Sequence, residues 1–514
     1  MKSRQITGSL WRPQNPADYQ KGENYAPTVG FFVCLAFMFM TIQMGWTIRS
    51  ADVKSAFLQV ELADRTTTKG ERFRRILEVQ PEMAKVFMEI NERSGYKYFP
   101  QEMKPESDGR LYFIIEKAMY GLFESGRLWY THVKNFLITK CGLRQIETDP
   151  CVFTRRSKEG KIMAVALLYV DDIAVSTAED EYWDHFVKRL NEQYSIGSNT
   201  INEGSDITYL GMEICQRKTE GVIHLTQERY LEKLLSSWRA DGNYKSPHGS
   251  ELFNLDEHII KDEQTRNRFR SNVMKIAYLA HRTRPDILLA CNFLSSQITR
   301  TTAKSLQDLD RVLNYLSNTR GRGLRYQRVQ HPRILFFTDA AYACHEDGKG
   351  HTGSIGCVGA LGDEENPVGP LNMIFARSNK QKLVGRSSTE AELIAVHETY
   401  PKVNWMKCLL AEMTDIDFDT PILYQDNLST IVSATTGLRR FSPMMHVNVR
   451  YFAIRQEIEE ERIKMPHLRT ELMLSDSLTK CSCPIGRILE QRDIYMNCTD
   501  EQGNARKAEL GKLD

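Results

Sequence analysis

The stretch Ile162–Val175, IMAVALLYVDDIAV, places two apolar runs around the pair Asp171-Asp172. The runs Ile162–Val170 and Ile173–Val175 read as the arms of a β-hairpin with the acidic pair at its tip. Such a tip is also an ordinary place for a solvated Asp-rich turn. The chemical alternative is metal binding. Phosphoryl transfer with two divalent cations needs several carboxylates brought together, because hard cations take oxygen ligands. A strand end beside a hairpin tip can supply them. Asp52, in Ala51–Leu58 (ADVKSAFL), is the candidate third ligand, in a segment (Arg49–Leu62) that starts a strand. Alone it could be any strand-edge acid.

Upstream, Val29–Trp46 (VGFFVCLAFMFMTIQMGW) is nearly all apolar and long enough to be a membrane-span candidate. A buried helix fits as well. Thr41 and Gln43 interrupt the run and no further span follows, so the buried helix is the preferred reading. A membrane-anchored protein is its rival. Before this run the chain is polar and turn-rich. Glu71–Gly109 is charged and irregular, and Arg110–Cys141 is helical in its second half.

Downstream, residues 222–320 read as mostly helical. Leu306, Leu309, Val312, Leu313 and Leu316 fall at helical spacing, and Gly321 and Gly323 stop that helix. From Arg333 the texture alternates. Ile334–Thr338 is a strand ending in Asp339, and Ser354–Leu361 is a second strand. A helix starts near Thr389, Ile422–Gln425 is a strand ending at Asp426, and another helix starts near His446. This is a separate α/β domain with its own core.

At 514 residues the chain exceeds one core, and about three or four domains are expected. Its 41% hydrophobic and 26% charged residues read as globular. A formal charge of +2 excludes a global field for a polyanion. Locally, Arg282, Arg284, Arg300, Lys304, Arg311, Arg320, Arg322, Arg325, Arg328 and Arg333 form a stripe. It could neutralise phosphates or be a solvated helical face. The eleven cysteines include no C-x-x-C pair, and Cys481 and Cys483 are too close for a zinc knuckle. Free thiols in a reducing compartment are expected. No cleavable signal peptide is evident.

More of the chain fits one family, in order. Tyr25–Val29 (YAPTV), ADVKSAFLQVEL, Lys117–Tyr130 (KAMYGLFESGRLWY), Asp149–Phe153 (DPCVF) and Tyr169–Asp172 (YVDD) come first. Tyr209–Ile214 (YLGMEI), Ile223–Leu235 (IHLTQERYLEKLL), Thr283–Ile287 (TRPDI) and Val312–Tyr326 (VLNYLSNTRGRGLRY) follow. Together they resemble the reverse transcriptase of copia-type LTR retrotransposon Pol polyproteins, and ordered matches are more specific than any one of them. The resemblance implies an α+β right-hand polymerase. Residues 1–215 would be fingers and palm, with the fingers shortened at the start. Residues 216–332 would be a helical, basic thumb and connection. Asp52, Asp171 and Asp172 would hold two Mg²⁺ ions, with Mn²⁺ as an alternative. Phe57 would sit under the sugar and exclude a 2′-OH, or be a core aromatic. Lys2 and Arg4, in KSRQITGSL, would grip the triphosphate of an incoming deoxynucleotide, or be a frayed basic terminus. Gly126 departs from the family's usual proline.

The resemblance continues. Asp339 in FFTDAAY, Glu392 in SSTEAELIA, Asp426 in LYQDN and Asp476 in LSDSLTK are similar to the metal-binding carboxylates of a ribonuclease H-like domain, here residues 333–490. Gln381 in SNKQK supports the match, and residues 491–514 would be a tail. Taken singly, Glu392 has capping-box spacing from Thr389, Asp476 could be an N-cap, and Asp339 and Asp426 could be turn formers. His446 reads as structural. The implied partners are RNA and DNA template-primer, an RNA–DNA hybrid held by the basic stripe, and other Pol and Gag proteins. The implied place is a cytoplasmic virus-like particle, or the nucleus. Two rivals remain: a degenerate or host-adopted copy that binds nucleic acid without chemistry, and a chain in which only the nuclease works.

Overall fold

The hairpin forms as its sequence implies. The computed structural model describes residues 25–62, 75–99, 103–200, 206–236, 242–362, 366–436 and 445–497, with short pieces at 65–66, 72–73, 238 and 508–509. Strands Ile162–Tyr169 and Asp172–Thr177 pair antiparallel with Tyr169 opposite Asp172. They form the middle of a six-stranded antiparallel sheet. Its order is Ile196–Thr200, Thr47–Val53, Asp172–Thr177, Ile162–Tyr169, Val152–Arg156, Arg144–Gln145. Both faces of this sheet are covered, which explains why Ile162–Tyr169 is continuously apolar rather than alternating. Ala164, Ala166 and Leu168 face helices Ser125–Thr139 and Asp180–Gln193. Val165 and Leu167 face the other way, into a core that contains helix Phe31–Met44.

That helix is the apolar stretch read above. It has fourteen residues, ten of them buried, and ends at Gly45 in the left-handed conformation. Among the described residues no helix is long and apolar enough to cross a membrane. Its two polar interruptions are satisfied inside the protein. Thr41 Oγ1 donates to Ser176 Oγ at 2.8 Å. The Gln43 amide donates to Val329 O and accepts from Val329 N, each at 2.9 Å. The helix touches elements of all three large sheets' neighbourhoods, and its Phe32 ring lies 4.8 Å from that of Phe375 in the C-terminal domain.

The middle of the chain is less helical than its sequence suggests. Ile207–Tyr209, Met212–Arg217, Val222–Thr226 and Leu324–Gln327 form a four-stranded antiparallel sheet. Helices Glu228–Leu235, Glu263–Ala280, Leu288–Ser296 and Ala303–Asn318 follow between its last two strands. The last of these buries Leu309, Val312, Leu313 and Leu316, as their spacing predicts.

Half of the basic stripe is paired with carboxylates of the protein itself. Arg284 is buried and pairs with both oxygens of Asp286, at 3.0 and 2.8 Å. Arg322 pairs with Asp493 at 2.7 Å, Arg333 with Asp419 at 2.9 Å and Lys304 with Asp308 at 2.6 Å. Arg300 reaches Glu346, while Arg311 and Arg328 donate to the carbonyls of Ser246 and Gln43. The segment runs through the seam between helices and C-terminal domain, where a charge persists only if paired.

The C-terminal domain is a five-stranded sheet in the order Ile422–Tyr424, Arg333–Ala341, His351–Leu361, Pro367–Lys380, Ala508–Glu509. Only the first pair is parallel. Helix Ser388–Met413 packs on it and reaches the first sheet. There the Glu412 carboxylate accepts from Glu147 N and Thr148 N, each at 2.9 Å, and Asp415 accepts from Ile162 N at 2.8 Å. Helix Ile485–Tyr495 crosses the expected 490/491 boundary, because Arg492 and Asp493 join the buried network of Arg322 and Tyr315. The expected α+β architecture followed by an α/β domain stands. Among the described residues ten cysteines are unbridged, and burial pushes Cys34, Cys151 and Cys291 up to about 12.

Phe37 is fully buried at the middle of the shared helix. Phe37→Ala should cost about 3–5 kcal/mol. Calorimetry of the whole chain should show the unfolding of both the N-terminal and C-terminal regions moving to lower temperature, rather than one alone.

Candidate active sites

Strand Thr47–Val53 alternates its side chains, and Asp52 is its exposed residue between buried Ala51 and Val53. Register sets Asp52 directly opposite Asp172. Val53 N donates to Asp171 O at 3.0 Å, so the strand that carries Asp52 also holds the hairpin tip. The three aspartates therefore lie together at one end of two inner strands of the sheet. Val170 before them has φ of 55°, the left-handed region that a branched side chain rarely adopts. After Asp52 the chain turns through Ser55, also left-handed at φ 53°, into a short 3₁₀ helix that presents Phe57. The Phe57 ring is half-buried and lies 4.5 Å from the ring of Tyr120. Tyr120 is 59% exposed, and its hydroxyl is pushed up by burial and then by Asp171 and Asp52.

Asp171 and Asp172 carry like charge in partial burial. Burial, then Asp171 and Asp52, raises Asp172 to about 6. Burial and Asp52 also raise Asp171. Like charges with little solvent disfavour full ionisation, and a divalent cation removes that penalty. Lys2 and Arg4 lie outside the described residues.

The second cluster is tighter. Phe337 pairs in parallel with Tyr424, so Asp339 and Asp426 leave neighbouring strands in the same direction. Helix Ser388–Met413 brings Glu392 to them. Among the described residues, Asp339, Glu392 and Asp426 are the carboxylates whose oxygens all come within 4.8 Å of one another, which suits one hard cation. The capping reading of Glu392 falls away. Ser387 is the N-cap, accepting from Glu390 N at 3.2 Å, and Glu390 reaches back to Arg386 N at 2.7 Å. Glu392 is thus free to face the site, where Gln425 Nε2 donates to it at 3.3 Å. Thr470 steadies Asp426 at 2.9 Å.

Asp476 stands one step away, and it is not an N-cap. Lys480 Nζ lies between it and Asp339, 2.7 Å from Asp476 Oδ1 and 2.9 Å from Asp339 Oδ1. Thr479 Oγ1 also donates to Asp339. Burial and then Asp339 raise Asp476 to about 7, against the pull of Lys480. Burial and then Asp339 and Asp426 hold Glu392 well above the carboxylate range. Burial works against the Lys480 charge, but Asp339 and Asp476 outweigh it and raise its pKa. Lys480 was missed in the sequence, although its spacing of four from Asp476 was a signal. Tyr120 was missed too, and no spacing marked it. Gln381 is structural: its amide bonds Thr352 Oγ1 and Ala391 O. His446 opens helix Met445–Glu459, and its side chain lies outside the described residues.

Residues 75–247 match the family model of reverse transcriptase (RNA-dependent DNA polymerase). The match contains Asp171 and Asp172 and begins after Asp52. The chain is similar to the retrovirus-related Pol polyprotein from transposon RE2 of Arabidopsis thaliana, 28% identical over 91% of this chain and 29% of that protein. It is 27% identical to that from transposon RE1 of the same plant, over 89% of this chain and 28% of the relative. That from transposon TNT 1-94 of Nicotiana tabacum is 25% identical over 89% of this chain and 31% of the relative. The motif resemblance to copia-type Pol polyproteins thus extends over most of the chain, which spans under a third of their length. Among solved structures, a prototype foamy virus protease-reverse transcriptase overlaps 90% of this chain and 70% of its own at 12% identity, with a TM-score of 0.21. A compost-derived RNase H1 overlaps 29% of this chain and 92% of its own at 13% identity, also with a TM-score of 0.21. Neither overlap is close enough to bear on function.

A carboxyl raised above its ordinary value is protonated more readily in the folded than in the unfolded chain. For Asp172 the metal-free fold therefore loses stability as pH rises from the ordinary carboxylate range through about 6. Protons and cations compete for these groups. The Mg²⁺ concentration that half-saturates a thermal-shift titration should rise as pH falls through about 7 for the Asp476 site and about 6 for the Asp172 site. Asp172→Asn should raise the metal-free melting midpoint at neutral pH while weakening the first site's ion affinity by about tenfold or more.

Proposed function

We propose that the chain is an RNA-directed DNA polymerase with a ribonuclease H behind it. The observation that carries this is the pair of carboxylate clusters in one polypeptide. Asp52, Asp171 and Asp172 stand at one end of two inner strands of the sheet that carries the reverse transcriptase match. Asp339 and Asp426, from neighbouring strands of a second sheet, converge with Glu392 from the helix packed on it.

The substrates would be an RNA or DNA template-primer, deoxynucleoside triphosphates and the RNA strand of a hybrid. The donor sets are all oxygen and suit Mg²⁺, with Mn²⁺ as a substitute. When bound, such ions supply positive charge at the attacking and leaving oxygens. The protein supplies position. Asp52 and Asp172 are fixed by strand pairing, so a primer end and a triphosphate would be brought together with little reorganisation. The Phe57 ring, backed by Tyr120, would close the space beside the sugar and reject a 2′-OH. In the second site Gln425, Thr470 and Thr479 orient the carboxylates, and Lys480 neutralises Asp339 and Asp476. Of the basic stripe, Arg284, Arg300, Lys304, Arg322 and Arg333 are paired with carboxylates, so hybrid contacts would fall to its other members and to other surfaces. Partnership with other Pol and Gag proteins, in a cytoplasmic particle or the nucleus, belongs to the same reading.

One observation favours a second reading, in which only the nuclease works. The first three aspartates share one end of their strands without the mutual convergence that Asp339, Glu392 and Asp426 reach.

Primer extension on poly(rA)–oligo(dT) with Mg²⁺, run beside cleavage of a labelled RNA–DNA hybrid, tests both. Extension should vanish with Asp171→Asn alone and cleavage with Asp339→Asn alone. Cleavage without extension in the unmodified chain would leave the second reading standing, and binding with neither activity would mark a remnant. Phe57→Val should raise ribonucleotide incorporation relative to deoxynucleotide by about tenfold or more, read from the ratio of kcat/KM values.

A further inference from the structure

The hairpin tip stores strain exactly where it carries the aspartates' positions, and a single buried side chain holds it. Tyr169 pairs with Asp172, so Val170 and Asp171 are the two central residues of a tight turn. Val170 takes the left-handed conformation at φ 55°. Hairpin turns with that conformation at the first central residue normally place glycine there. A branched residue in this region is held only by its surroundings.

The surroundings are specific. Trp129, on helix Ser125–Thr139, is 1% exposed. Its indole Nε1 donates to Val170 O at 2.6 Å. On the other side Val53 N donates to Asp171 O at 3.0 Å. The carbonyls of both turn residues are therefore tied, one to the helix and one to the strand that carries Asp52. The Trp129 ring also lies edge-on to that of Tyr194, with centroids 5.5 Å apart.

We infer that Trp129 is a positioning residue for the polymerase site: its indole N–H holds the turn that carries Asp171 and Asp172 beside Asp52. It touches no substrate and acts through Val170. Without the N–H, Val170 O would lie next to a buried ring with no partner, and the turn would relax toward an unstrained conformation. The two carboxylates would then move relative to Asp52. The inference rests on the polymerase reading for its kinetic consequence and on geometry alone for its ion-binding consequence.

Trp129→Phe keeps a buried ring and removes the N–H. Tyr194→Leu loosens the packing around the same ring and leaves the N–H in place. Each is made in the full chain, with hybrid cleavage at the second site and circular dichroism as checks of folding. Mn²⁺ binding is read by electron paramagnetic resonance in an Asp339→Asn background, which disables the second site. Trp129→Phe should weaken first-site Mn²⁺ binding about tenfold and lower the kcat of primer extension about tenfold to a hundredfold, with the deoxynucleotide KM and hybrid cleavage unchanged. Tyr194→Leu should lower the melting midpoint and leave Mn²⁺ affinity unchanged. Equal effects of the two variants on Mn²⁺ affinity, or no effect of Trp129→Phe, would overturn the inference.

If Trp129→Phe does not fold, the unmodified chain decides. Among the indole resonances of its six tryptophans, that of Trp129 should shift when Mg²⁺ is added. An unmoved Trp129 resonance would overturn the inference. If the unmodified chain extends no primer, the polymerase reading fails, while the Mn²⁺ comparison still judges the Trp129 contact.

Discussion

The burial of helix Phe31–Met44 on every side is the constraint from which the arrangement of the molecule follows. Its residues from Val33 to Ile42 are all buried, and they share one core with the first sheet, the four-stranded sheet and the C-terminal sheet. An α-helix that is apolar all round has no solvent face and must be enclosed. Enclosure here takes structures from both ends of the sequence. The carboxylate contacts of Glu412 and Asp415 with backbone amides of residues 147, 148 and 162 add a polar rim to the same junction. Interfaces of this kind, apolar and continuous with the core, do not permit the independent motion usual between domains. The two candidate sites are accordingly held at a fixed relation.

Within that frame, each site concentrates like charge in partial burial, and each handles it differently. The hairpin site leaves Asp52 exposed and spreads the cost over Asp171 and Asp172, both shifted upward. The C-terminal site buries Asp339 and Glu392 and brings in an internal cation, Lys480. A buried acid next to an ammonium is cheaper than one next to another acid. The first site opens to solvent at one end of its sheet's inner strands. The buried one depends on threonine and glutamine hydroxyl and amide groups to fix its oxygens. Preorganisation of this sort lets fixed dipoles and charges act without first rearranging.

Much of this was legible in the sequence, for reasons that differ by element. The strands flanking Asp171-Asp172 could be read because both of their faces are covered, which produces unbroken apolar runs. The strands ending at Asp339 and Asp426 could be read for the same reason, and ordered motifs placed Glu392 and Asp476 with them. The strands 212–217, 222–226 and 324–327 could not be read: Ile223 pairs with Tyr326 across four intervening helices, and no local pattern reports a distant partner. The pairing of the basic stripe was only partly legible: Asp286 lies two residues from Arg284, but Asp419 and Asp493, the partners of Arg333 and Arg322, are distant in sequence. Glu392 was ambiguous between cap and ligand until Ser387 and Glu390 were seen to make the cap themselves.

The buried thiols carry a consequence for the life of the molecule. Cys34, Cys151 and Cys291 have pKa values near 12 in the fold, so almost none of each is thiolate at neutral pH, and the thiolate is the form that oxidants attack. An unfolded chain returns them to the ordinary thiol range and to solvent. Folding therefore protects the buried cysteines, and each excursion out of the fold exposes Cys34, Cys151 and Cys291 at once. Under oxidising conditions such an excursion becomes a ratchet: a thiol paired or oxidised while exposed cannot re-enter a core shaped around the reduced side chain. The survival time of the protein in such conditions is then set by how often it opens, not by how stable it is on average.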